Sequence, residues 1–166
     1  IIFGASIFGV YMTSQRFLFS GMAQAQAVAD ARPSLERIKR VVRACTTDPM
    51  PTVSGGGNTL LFSEDLNHDP YNQNLVNRSL TYGPGPDGSY ATTDDNTLTY
   101  VPDTAQPNVQ MVLTRHVSQV VTSAGATLPV FTINGTTIQI NYRVRYRYAL
   151  STTQPVDMSI SVVPRN

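Results

Sequence analysis

Tryptophan is absent, lysine occurs once, at Lys39, and glutamate occurs twice against nine aspartates. Charged residues make up 14% of the 166-residue chain, against about 25% in an average soluble domain. That scarcity excludes a highly charged coiled coil and a disordered tail of high net charge. Cys45 is the sole cysteine, so no disulfide forms within the chain, and a small buried side chain is its expected role. His68 and His116 stand apart, and no serine lies in a nucleophile-elbow pattern. Gly55-Gly56-Gly57 lacks the lysine and following helix of a phosphate loop. No enzyme activity is expected.

What charge there is falls in blocks. Residues 1–45 carry +4, residues 46–113 carry −7 and residues 114–166 carry +4. Such a chain is no generic polyanion binder, although single faces of it can be strongly charged. Residues 1–45 are read as one N-terminal helical unit, 46–58 as a Pro/Gly-rich linker, and 59–166 as a β-rich globular domain. From Ile1 to Ala29 there is a single charge, Arg16. That stretch approaches the ~20 apolar residues of a membrane span, but Ser14, Gln15 and Arg16 interrupt it. Further on, Leu35, Ile38, Val42 and Cys45 recur at spacings of three and four, one apolar stripe of an amphipathic helix. Pro33 is expected to bend or break that helix.

The remainder reads as strands and turns. Short strands are expected at Thr59–Ser63, Ser79–Tyr82, Thr97–Val101, Val109–Thr114 and Val117–Thr122. Thr137–Leu150 alternates Ile138, Ile140, Tyr142, Val144, Tyr146 and Tyr148 with polar residues, and Val156–Val162 follows after a turn. The expected fold is α+β, a long N-terminal helix packed on a C-terminal antiparallel sheet with long loops.

Ile1–Val10, with Ile7-Phe8-Gly9, then a long helix, a loop-rich centre and a C-terminal sheet, resembles the type IV pilin superfamily, pseudopilins included. The run Ala31-Arg32-Pro33-Ser34-Leu35-Glu36-Arg37-Ile38-Lys39-Arg40-Val41-Val42-Arg43-Ala44 and the ending Val162-Val163-Pro164-Arg165-Asn166 are similar to its minor-pilin group. The resemblance implies a subunit that polymerises through Ile1, Ile2, Phe3, Gly4, Ile7, Phe8, Gly9 and Val10. Its implied partners are copies of itself or related pilins, the inner membrane before assembly, and the pilus or type II secretion machinery. Its implied destination is a cell-surface filament, or a periplasmic one for a pseudopilin. The family's early glutamate would fall immediately before Ile1, so the natural chain is expected to begin upstream.

Two further features invite ligands. Asp87, Asp94 and Asp95 flank a Gly/Pro-rich loop and could supply hard oxygen ligands to Ca²⁺, as in the resembling calcium loop of the major pseudopilin. Asp65, Asn67 and Asp69 begin like an EF-hand, but Pro70 and Val76 break that pattern, which leaves a solvated turn. Arg143, Arg145 and Arg147 share one strand face, spaced about 7 Å apart, and could follow phosphates. The tyrosines of that strand point the other way, which favours an ordinary outward face over a nucleic-acid stripe. The expected function is therefore a filament subunit. The alternative is a membrane-anchored module that binds DNA or another polyanion through its arginines.

Overall fold

The computed structural model describes residues 2–68, 71–84, 88–90, 96–144 and 155–165. In the first helix, side chains are described for residues 8–22, 25, 26, 28, 29 and from 31 onward. Helix α1 spans Ile2–Arg43, with Pro33 inside it. Strands follow as β1 (Thr52–Ser54), β2 (Thr59–Asp65), β3 (Leu75–Gly83), β4 (Thr97–Val101), β5 (Met111–Arg115), β6 (Val117–Ser118), β7 (Phe131–Asn134), β8 (Thr137–Val144) and β9 (Val156–Val162). Segment 46–58, read as a linker, contributes β1 and a 3-10 turn at Gly55–Gly57.

The strands form two antiparallel sheets. The first runs β1-β2-β3-β4-β5; in the second, β8 is flanked by β9 on one side and by β6 and β7 on the other. Alternation decides what each sheet buries. Leu60 and Phe62, Leu80 and Tyr82, and Leu98 and Tyr100 are buried at every second position of β2, β3 and β4. Register then places Leu60 beside Leu80, and Leu80 beside Tyr100. In the second sheet Ile138, Ile140, Tyr142 and Val144 form the buried row of β8, with Phe131 opposite Ile140 and Val162 opposite Ile138. One core joins both sheets.

The expected long helix packed on a sheet is overturned. The helical part comes down to two short stretches, 8–22 and 31–43, and the rest of the fold is mostly antiparallel β structure in two sheets. Only the second stretch meets the body. Ala31, Ile38 and Val42 are buried, and Cys45 is buried just beyond the helix end. This stretch lies between two sheet edges, touching β5 of one sheet and β9 of the other. Ser34 Oγ donates to Leu113 O of β5 at 2.7 Å, and Arg165 N donates to Arg43 O at 3.1 Å. The reason is compositional: the 3-4 apolar spacing from Ala31 to Cys45 gives a stripe narrow enough to fill that seam and no more.

Burial leaves two readable signatures. Cys45 Sγ lies in the core, and burial pushes its thiol up to about 11. A raised pKa adds stability below the unfolded value, which is lost as pH rises through the folded one. Stability should therefore fall between about pH 9 and about pH 11 through this group, and thiol reagents should label Cys45 only on unfolding. Labelling of the native chain at the rate of free cysteine would contradict this burial. Tyr142 is also fully buried, its hydroxyl has no hydrogen-bond partner among the described residues, and burial raises its pKa. An unpaired buried hydroxyl costs about 1–3 kcal/mol. Tyr142→Phe should therefore raise stability by about 1 kcal/mol in urea melts; a loss of that size would mean the hydroxyl is satisfied after all.

Candidate assembly surface

Among the described residues, 8–22 form a stretch of exposed apolar side chains. Phe8, Tyr11, Leu18 and Met22 are all exposed, and with Gln15 they recur at spacings of three, four, three and four. That spacing is the period of a coiled-coil seam. Met12 and Phe19 widen it on one flank, and Val10 and Phe17 stand exposed on another side. A side chain such as Phe17, 75% exposed, loses about 1.5–3 kcal/mol of available burial for as long as it stays in water.

Several polar groups in this stretch already bond within their own helix. Gln15 Nε2 donates to Tyr11 Oη at 2.8 Å, Thr13 Oγ1 to Gly9 O at 2.8 Å, and Ser20 Oγ to Phe17 O at 3.0 Å. Covering the stretch with protein would therefore strand none of those donors. Gly9, Val10, Thr13, Ser14 and Phe17 line a shallow groove on one side. A Cβ at Gly9 or Gly21 would meet nothing within 4 Å, so both backbones are open to close approach. Arg16 is the single charge of the stretch.

Among the described residues, no helix is long and apolar enough to cross a membrane. Ser14, Gln15 and Arg16 sit at the middle of the stretch and lower its hydropathy. Comparison with protein-family models, curated proteins and solved structures finds no match. The geometry stands on its own.

The residues singled out in the sequence fall in three groups. Ile2, Phe3, Gly4 and Ile7 lie in α1, where only their backbone is described, and Ile1 lies outside the described residues. Phe8, Gly9 and Val10 sit in the exposed stretch. Tyr11, Met12, Phe17, Leu18, Phe19 and Met22 share that surface and were not singled out; the 3-4 spacing of Phe8, Tyr11, Leu18 and Met22 was the signal available for finding them.

The proposed Ca²⁺ ligands Asp87, Asp94 and Asp95 lie outside the described residues. What is described is the neck of their loop. Asn96, fully buried, donates through Nδ2 to Tyr82 Oη at 3.0 Å and to Tyr90 O at 3.4 Å, and the Tyr82 and Tyr90 rings stand 5.4 Å apart. Among the described residues, no cluster of three metal-ligating side chains occurs. Asp65 is also in use within the protein: its Oδ1 accepts from Asn67 N at 3.1 Å and from Asn74 N at 2.9 Å.

The arginine stripe is reduced to one described member, since Arg145 and Arg147 lie outside the described residues. Arg143 pairs across the strands with Asp157, Nε to Oδ1 at 2.5 Å and Nη2 to Oδ2 at 3.0 Å, and Nη2 also reaches Val121 O at 3.3 Å. The hydrogen bond from Arg143 lowers the Asp157 pKa, and the same bond raises that of Arg143. A lowered carboxylate contributes stability above its unfolded pKa, about 3.8, that is lost as pH falls through the folded value. Because the pair is partly solvated, Arg143→Ala should cost less than about 1 kcal/mol near neutral pH and nothing at pH 2. Equal losses at both pH values would show that Arg143 acts through packing. A second cleft, beside the end of α1, is lined by Lys39, Arg40, Arg43 and Arg165 but also by Glu36, Asp48, Glu64 and Asp65. Its mixed signs favour no ligand of one charge.

Proposed function

We propose that this chain is a structural subunit that assembles with copies of itself through residues 8–22 of α1, as a type IV pilin-like filament protein would. The observation that carries this reading is the exposed 3-4 seam of Phe8, Tyr11, Leu18 and Met22, with the interleaved Gln15 bonded to Tyr11 of the same helix. A seam of this kind matches a neighbouring helix in shape and period, and the open faces at Gly9 and Gly21 allow close approach. The β body, docked on residues 31–43 alone, would then project from a helical centre. Such a filament would stand on the cell surface, or in the periplasm in a pseudopilin-like setting.

The test is assembly of the full chain, followed by sedimentation and negative-stain microscopy. Wild-type protein should form filaments or helix-mediated oligomers. Leu18→Asp should leave monomers with unchanged circular dichroism, because Leu18 makes no use of the body. Gly9→Leu should also block assembly while fitting the monomer, which has nothing within 4 Å of that position. A wild-type chain that sediments as a monomer, or an unaffected Leu18→Asp assembly, would rule this reading out.

A further inference from the structure

We propose that Asn134 is an acceptor for N-linked glycosylation and that the fold selects it over the other matching tripeptide in the chain. Attachment requires Asn-x-Ser/Thr with x not proline, in a segment that a transferase can reach. Two such tripeptides occur, Asn77-Arg78-Ser79 and Asn134-Gly135-Thr136. The structure treats them in opposite ways.

Asn77 is itself exposed, but it lies within β3, opposite Ser63 of β2 and two residues before the pairing with β4 begins at Ser79. Its Oδ1 accepts from Ser63 Oγ at 2.8 Å, its carbonyl accepts from Thr104 N at 2.8 Å, and Ser79 is buried. The tripeptide is thus held extended and hydrogen-bonded, with Ser79 buried, so it could bend into a transferase site only after this part of β3 leaves its sheet. Asn134, by contrast, ends β7 at a two-residue turn, Gly135-Thr136, that leads into β8. Asn134, Gly135 and Thr136 are all exposed, and among the described residues the Asn134 amide makes no hydrogen bond. Gly135 takes a φ of 61°, and a Cβ there would meet nothing within 4 Å. The middle residue is therefore both conformationally free and open to a large partner.

The chemistry is a group transfer without redox change. Asn134 Nδ2 attacks C1 of the sugar at the reducing end of a polyprenyl-diphosphate-linked oligosaccharide. The C1–O bond to phosphate breaks, the lipid diphosphate leaves with the electron pair, and one amide proton passes to the transferase. Thr136 supplies the hydroxyl at the second position beyond the acceptor.

This proposal is independent of the assembly reading. It is tested on the folded full chain with a lipid-linked oligosaccharide and a transferase that glycosylates the free peptide 131–139. Intact mass and peptide mapping should find one glycan, on Asn134, and none in Asn134→Gln or Thr136→Val. Chain unfolded in urea and diluted into the same mixture should also accept at Asn77. A glycan on Asn77 of the folded chain would overturn the proposal. So would an unmodified or merely deamidated Asn134 in the folded chain.

Discussion

Gly57→Ala should be the most damaging single methyl in the body, lowering its stability by about 3 kcal/mol or more. Two penalties meet at this position. Gly57 takes a φ of 92°, in the left-handed range where a side chain costs about 1–2 kcal/mol. It also backs directly onto the second sheet. A Cβ would lie 2.2 Å from Pro129 Cβ, 3.2 Å from Pro129 Cα and 3.3 Å from Phe131 O. Neither the proline ring nor the backbone can swing aside, so the seam between β1 and β7 must open. Gly56 is the control within the same turn: its φ is 65°, but nothing lies within 4 Å of its Cβ position. Gly56→Ala should cost only the backbone part, about 1 kcal/mol. Urea melts of both variants separate the two terms, and equal costs would mean that the turn does not hold the sheets together.

That turn also marks where the sequence stopped being readable. Three glycines after two prolines look like a flexible connection, because glycine frequency carries no sign of what it packs against. Here the absence of a side chain at Gly57 is what lets one sheet approach the other. The inner strands were easier. Thr97–Val101 was legible to the residue as β4, since Leu98 and Tyr100 alternate with threonines and both are buried. Parity likewise placed Tyr142 and Val144 inward and Arg143 outward, toward its partner Asp157. β7 was overlooked, although Asn134-Gly135 between Ile133 and Thr137 is a hairpin signal. The helix shows a subtler limit. Periodicity detects an apolar stripe, but it does not say what covers that stripe. Ile38 and Val42 are covered by the chain's own sheets, whereas Phe8, Tyr11 and Leu18 stand exposed.

Leu18 and Ile38 put that distinction to a direct test, because they are isomers on the same helix in opposite surroundings. Ile38 is 0% exposed and Leu18 is 60% exposed. Ile38→Ala removes buried methyl groups between β5 and β9 and leaves a cavity, which should cost about 2–5 kcal/mol in denaturant melts. Leu18→Ala removes the same atoms from water-facing surface and should change the stability of the dissociated chain by less than about 0.5 kcal/mol. Its effect should appear in assembly. Each Leu18 lost from a buried helix seam forfeits about 2 kcal/mol of transfer free energy, about thirtyfold in the equilibrium constant per contact. Ile38→Ala should do the reverse, loosening the body while leaving the seam at residues 8–22 intact. Assembly should then persist in Ile38→Ala up to the temperature at which its body melts. If instead Leu18→Ala destabilises the isolated chain as much as Ile38→Ala does, residues 8–22 fold back on the body, and the self-assembly surface is not there.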